Sequence, residues 1–308
     1  METTIQKFLA ELEVQEPASV NGFQVFGLKR SGNSRVSYLT LDEALQKDLV
    51  DVMEISEGGS VPTLKVSNKA EDLLFLLAGE QLRGAKQNRV LNVDIMVGSK
   101  TEIRIPVSCV EAGRWQYRSP KFMSAGTVSH SYLRAKMSKD VMESYRGSGS
   151  PTSKQGEVWA EVSLKLNKMK SRSPSAALNQ VYEDYEGRLE KVNEELKAPQ
   201  GCSGAVFVFG GKIAGMDLFD QSGTLEKLWP KLVRSYAIDA MEEPGEPSKQ
   251  TRESVVSWLK AALTVKSEKF HSPGLGEDVR LQGENLVGSS LLVEDEPVHT
   301  ELFSVSRK

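Results

Sequence analysis

The stretch 204-GAVFVFGGKIAGMDLF-219 decides the architecture. Two apolar runs rich in strand-favouring residues meet at Gly210 and Gly211, a pair that enters positive-φ hairpin turns without steric cost. A hairpin commits its strands to antiparallel pairing, because a parallel return needs a crossover of about a dozen residues. The same grammar continues in both directions. Upstream, 21-NGFQVFGLKR-30 and 35-RVSYLTL-41 flank the turn 31-SGNS-34, and 51-DVMEIS-56 and 61-VPTLKVS-67 flank 57-EGGS-60. Further strands are expected over 72–78, 89–97 and 101–110. Downstream come 278-DVRLQ-282, 289-SSLLVE-294 and 298-VHTELFSV-305.

Helical spacing fills the gaps. Ile5, Phe8, Leu9 and Leu12 form one face of an N-terminal helix, with Thr3 or Thr4 as its cap. A short helix is expected over 42–49 with Asp42 near its start. The middle of the chain is helical from about Val128 to Arg146 and again over 157–169. Between them 147-GSGSPTSKQG-156 has the composition of a flexible linker. Ser173 and Pro174 suggest an N-cap and first-turn proline. Leu178, Val181, Tyr182, Tyr185, Leu189, Val192 and Leu196 then share one stripe. Leu225 to Ala240 is strongly amphipathic, with Pro230 expected to kink the helix or mark its start. A polar stretch, 242-EEPGEPSK-249, precedes a last helix over 252–263.

These elements predict an α+β fold: mostly antiparallel sheets formed by the N- and C-terminal thirds, with a helical middle packed on or projecting from them. We expect one integrated domain over 1–308, with a helical insertion at about 128–198 that contains the linker 147–156. The strict alternation and glycine fingerprints of a doubly wound parallel fold are absent. Short echoes exist, such as 79-GEQLRG-84 with 283-GENLVG-288, and leave an internal duplication open.

The 308 residues carry a net charge of −3 and a pI near 5.8, without the basic excess of a general nucleic-acid or membrane-surface binder. No apolar run approaches the ~20 residues that span a bilayer. Two cysteines, Cys109 and Cys202, without CxxC or HExxH spacing, argue for free thiols in a reducing, cytoplasmic setting and against structural zinc. Whether the two pair, and whether the chain is an oligomer, the sequence leaves open.

The densest polar stretch is 79-GEQLRGAKQNR-89, set between two apolar segments. Arg83, Lys86 and Arg89, brought together by a turn between Gly79 and Gly84, suit a phosphate or carboxylate, which Arg grips at two points. Gln87 and Asn88 could read a base or sugar, and Glu80 could act as a base or hold a ribose hydroxyl. The alternative is a solvated hairpin. In 108-SCVEAGRW-115, Arg114 beside Trp115 is a common recognition pairing through stacking and cation–π contact, and Glu111 is a candidate acid or base. The alternative there is a core-capping Trp115 and a surface Glu111–Arg114 pair. Cys109, in an alternating strand, reads as a buried small hydrophobe. Asp217 and Asp220 could hold Mg²⁺ or work as acid and base, while Asp220 could equally cap the next helix or its first turn. His299, in an alternating strand, and His271, before a Pro-Gly turn, have no partner identifiable by spacing and read as structural.

The set 79-GEQLRGAKQNRVLN-92, 108-SCVEAGRW-115, 215-GMDLFD-220, 234-RSYAIDAM-241 and 287-VGSSLLVEDEPVHTELF-303 resembles the ARPP domain, named for its association with ADP-ribosylglycohydrolases and rhodanese-phosphatase proteins. The resemblance implies a context of ADP-ribose or NAD metabolism and no particular reaction. The sequence therefore suggests a small phosphorylated ligand of ADP-ribose type held by Arg83, Lys86, Gln87, Asn88, Arg89, Arg114 and Trp115. A second reading is a hydrolase on such a ligand that uses Glu80, Glu111 or Asp217, with or without Mg²⁺. A third is a protein-interaction module whose helical middle is the contact surface.

Overall fold

The computed structural model describes residues 4–32, 34–56, 58–243 and 250–305. Thr3 as a cap, and parts of the turns 31–34 and 57–60 and of the stretch 242–249, lie outside them. The chain divides into two compact units, 1–36 with 187–270 and 276–308, and 37–186 with 271–275. The α+β expectation holds: the N- and C-terminal segments meet in one sheet, and helices occupy the middle of the chain.

The first unit is built on an eight-stranded sheet. Its strands are β1 (Glu13–Val20), β2 (Phe23–Lys29), β12 (Gly204–Phe209), β13 (Lys212–Phe219), β17 (Glu296–Ser304), β16 (Leu286–Val293), β15 (Glu277–Gln282) and β14 (Lys266–His271), in that spatial order. The hairpin β12–β13 turns at Gly210 and Gly211, both at positive φ, as the sequence required. Strand alternation divides the apolar residues between two faces. One face carries Phe26, Val206, Val208, Met216, Leu218 and Leu302. These pack with Ile5, Phe8 and Leu9 of α1 (Thr4–Ala10) and Val255 and Leu259 of α8 (Arg252–Ala262). The other carries Phe207, whose ring stacks on Trp229 and Tyr236 of α7 (Ser222–Glu242). The Trp229 indole N–H donates to Leu196 O, just beyond α6 (Glu186–Glu195).

The second unit holds a six-stranded sheet in the order β11 (Phe122–Val128), β7 (Glu80–Gly84), β8 (Arg89–Leu91), β10 (Glu102–Cys109), β5 (Thr63–Asn68) and β4 (Val50–Glu54). A smaller sheet joins β3 (Tyr38–Thr40), β6 (Leu73–Leu76) and β9 (Ile95–Val97), with β3 and β6 parallel. The helices are α2 (Leu41–Gln46), α3 (Ser131–Ser148), α4 (Gln155–Lys168) and α5 (Asn179–Asp184). Between α3 and α4 the loop expected as a linker is bonded into the fold. Pro151 O accepts from Asn92 Nδ2, and Ser153 Oγ lies 2.5 Å from Ser108 Oγ.

Several local expectations are corrected. Strand β1 escaped the sequence reading because 13-EVQEPASV-20 is polar and contains Pro17. It is an edge strand with a bulge before Pro17, where a missing N–H is tolerated. The apolar run 89–97 serves two sheets, since a turn at Asn92–Asp94 separates β8 from β9 and Asp94 Oδ1 accepts from Ala78 N. The stripe Leu178–Leu196 spans two helices that break at Tyr185, whose hydroxyl donates to Met169 O. Ser173 caps a turn by accepting from Ala177 N, two residues before α5 begins. Asp42 lies in the first turn of α2 as expected, and Thr40, which the sequence reading did not single out, caps the helix in a reciprocal box with Glu43. Pro230 lies inside α7 and does not start it. The N-cap of α7 is Gln221, with no side-chain cap, so Asp220 does not fill that role.

Candidate ligand-binding site

The stretch 79–89 is a hairpin, β7 with β8, but it is not a solvated one. Glu80, Gln81, Gln87, Asn88 and Arg89 are all buried, and only Arg83 is fully open. Gly84 fixes the turn. It sits at φ 131°, and a Cβ there would come within 2.6 Å of Ser119 Oγ. Because β8 also pairs with β10, the hairpin turn and the segment after Cys109 lie side by side. Two stretches separated in sequence thus converge on one end of the sheet.

Arg114 ties them together. Its Nε donates to Glu111 Oε1 at 3.0 Å and its Nη2 to Glu111 Oε2 at 2.6 Å. The same guanidinium donates to Ala85 O, Gln116 O, Gly84 O and Asn88 Oδ1. Glu111 accepts further from Asn88 N at 3.0 Å and Ser175 Oγ at 2.7 Å. Burial alone would raise the Glu111 carboxyl. Arg114, Ser175 and the Asn88 amide outweigh it and hold the group below its ordinary range. Ionised and fully engaged, Glu111 is placed as a structural anchor for the loop.

Arg89 is buried against protein acceptors. It donates to Gln87 Oε1 at 3.1 Å and to Cys109 Sγ at 2.9 Å, with Glu54 Oε1 at 3.5 Å. Burial pushes the Cys109 thiol up to about 11, with Arg89 opposing only in part. The thiol is therefore protonated near neutrality. Above the guanidinium lies the Trp115 ring, 5.7 Å away.

What reaches solvent is an aromatic pair with a cation between its members. Trp115 and Tyr117 are 44% and 49% exposed. Lys86 Nζ lies 5.4 Å from the Trp115 centroid and 5.1 Å from that of Tyr117, and donates to Gly58 O. On the neighbouring surface a cleft of about 440 Å³ is lined by Arg83, Glu111, Arg118, Ser175, Asn179 and Glu183, among others. Arg83 faces Glu183 in an open ion pair at 3.4 Å.

Of the residues singled out from sequence, Lys86, Gln87, Asn88, Arg89, Glu111, Arg114 and Trp115 are joined by these contacts, and Arg83 lines the cleft. Glu80 is a buried strand residue of β7. Asp217 belongs to the other unit, where it accepts from Tyr236 Oη at 2.8 Å and faces His299 Nε2 at 3.1 Å. All three side chains there are closed to solvent. His299 thus has a partner that spacing could not show. Tyr117, Ser175 and Asn179 were missed. Tyr117 lies two residues from Trp115, a spacing that could have been noticed. Ser175 and Asn179 bond Glu111 and Asn88 across 64 and 91 residues, for which no local signal exists. Among the described residues, no three His, Cys, Asp or Glu side chains are grouped to hold a metal. No described helix is long and apolar enough to cross a membrane.

Fold and site together define an α+β protein whose antiparallel sheet carries a cleft and an aromatic–cation surface at the end of one hairpin. The chain belongs to the ARPP-1 family, the ARG and Rhodanese-Phosphatase-superfamily-associated Protein domain, whose family model matches residues 11–303. No curated protein and no solved structure matches it.

Proposed function

We propose that the protein binds a phosphorylated nucleoside of ADP-ribose type at the end of hairpin β7–β8. The observation that carries this reading is the exposed Trp115–Lys86–Tyr117 arrangement, mounted on a loop fixed by the Arg114–Glu111 pair. An aromatic face accepts a nucleobase, and an ammonium beside it accepts a phosphate. Arg83 adds a second cation at the cleft, because an exposed ion pair such as Arg83–Glu183 is worth little and exchanges readily. Arg89, Gln87 and Asn88 support the surface from below. The family association with ARG proteins agrees with such a ligand.

The test is titration of ADP-ribose and AMP against the parent protein, Trp115→Ala and Lys86→Ala, with Lys170→Ala as a control. A charge-assisted bond contributes roughly 1.5–3 kcal/mol, so Lys86→Ala should weaken binding about tenfold or more. Added salt should weaken the parent more than Lys86→Ala. Equal affinities in all four proteins, or no binding by the parent, would remove the proposal. Mass spectrometry of small molecules that co-purify with the protein would identify the ligand directly.

A further inference from the structure

A polar cavity of about 510 Å³ lies within the first unit, where the segment after β2, the turn before β12 and the start of α7 converge. Its features do not depend on the site above. Helix α7 is 21 residues long, yet its N-cap, Gln221, is extended and makes no side-chain capping bond. Ser222 and Gly223, in the first turn of the helix, line the cavity at the positive end of the helix dipole, where the first amides of a helix have no intrahelical acceptor.

A second observation points to a ligand. Ser203 lines the same cavity and is only 6% exposed. Its N–H donates to Leu28 O at 3.0 Å, and its C=O accepts from Phe219 N at 2.8 Å. Among the described residues its Oγ has no hydrogen-bond partner. Buried hydroxyls are rarely left so, because the loss of water goes uncompensated. The cation present is also weakly held. Arg30 Nη1 is 3.5 Å from Asp220 O, its Nε is 3.8 Å from Glu11, and its guanidinium lies over the Phe8 ring.

Asp220 sets the chemical class. Its buried carboxylate lines the cavity and takes a 3.4 Å bond from Gln221 Nε2. An oxygen of this side chain can accept a hydrogen bond from a sugar hydroxyl. We propose that this cavity binds a sugar phosphate, with the phosphate on the Ser222 and Gly223 amides, Arg30 and Ser203 Oγ, and a sugar hydroxyl donating to Asp220. Anion binding at a helix N-terminus supplies the physical basis.

Calorimetric titration of the full chain with ribose 5-phosphate and with inorganic phosphate tests it. A Cβ on Gly223 meets no atom within 4 Å, so side chains fit at this position. In Gly223→Asp the new carboxylate occupies the phosphate position, yet it favours the helix through the dipole. We expect Gly223→Asp to keep the melting temperature of the parent and lose at least tenfold in affinity for ribose 5-phosphate. Ser203→Ala should lose severalfold, and Gly223→Ala and Trp115→Ala should bind as the parent does. The parent should bind ribose 5-phosphate more tightly than inorganic phosphate. Undiminished binding by a folded Gly223→Asp, no binding of either probe at millimolar concentration, or no preference for the sugar overturns the proposal. Loss of binding in Trp115→Ala would assign the ligand to the other site and overturn it equally. The proposal of a nucleoside site fails or stands on the Lys86 and Trp115 variants alone.

Discussion

Arg114 and Glu111 meet at two points, Nε to Oε1 at 3.0 Å and Nη2 to Oε2 at 2.6 Å, with the carboxylate side chain fully buried. Three residues apart in sequence, they could have formed an ordinary surface pair. Here the remaining donors of Arg114 satisfy carbonyls of residues 84, 85 and 116, so one side chain fixes the hairpin turn and the loop after β10. Removing one member of a buried pair leaves the other uncompensated. Arg114→Ala should cost about 3 kcal/mol or more in chemical denaturation, and binding at Lys86 and Trp115 should fall with the loop's order.

The same pair sets an acid limb of stability. The folded Glu111 carboxyl is held below its ordinary value of 4.5, so the unfolded chain takes up this proton first as pH falls. The contribution is complete above about pH 4.5 and is lost as pH falls through that value toward the folded one. Melting temperature against pH should therefore drop more steeply in the parent than in Glu111→Gln over this window. Parallel curves for the two proteins would show that Glu111 contributes no such linkage.

Arg89 is expected to act on stability before it acts on any ligand. Arg89→Ala leaves Glu54 buried without its cation and opens a cavity under Trp115. A loss of about 3–5 kcal/mol is expected in urea unfolding. Arg89→Lys should recover only part of it, because an ammonium cannot reproduce the planar fork directed at Gln87, Cys109 and Glu54 together. A cost below 1 kcal/mol for Arg89→Ala would contradict this account.

Both thiols should be silent in the folded protein. Cys109 and Cys202 are buried and unpaired with each other, and burial raises both. A thiol reagent at neutral pH should label neither until denaturant is added, after which two react per chain. Rapid labelling of the native protein would place a thiolate where the structure has a buried thiol.

In the first unit, Asp217 joins β13 to α7 through Tyr236 and to β17 through His299. Tyr236→Phe removes one hydrogen bond from a buried carboxylate and keeps the stack on Phe207, centroid to centroid 3.9 Å. It should cost about 1–3 kcal/mol in thermal unfolding. Asp217→Ala should cost more, since it removes the contacts to both Tyr236 and His299. Equal melting temperatures for the three proteins would rule out a stabilising role for this network.

The sequence by itself determined the class of fold and the elements whose signals are local. Gly210–Gly211 between two apolar runs dictated the hairpin β12–β13, and helical spacing dictated α1, α7 and α8. It also marked 79–89 and 108–115 as exceptional, because long polar side chains between buried strands need a reason to be there. Tertiary structure decided what those side chains do. A period-two pattern cannot tell whether Arg89 faces solvent or Glu54, since the answer depends on which strand lies beside β8. Nor can it pair Asn88 with Asn179, or Asp217 with His299, across 91 and 82 residues. An edge strand with a proline, such as β1, carries too little apolar signal to be seen until β2 supplies its hydrogen bonds. Local rules act over a turn or a hairpin. Burial, and with it the choice between a free cation and a structural one, is set by neighbours that only folding brings into contact.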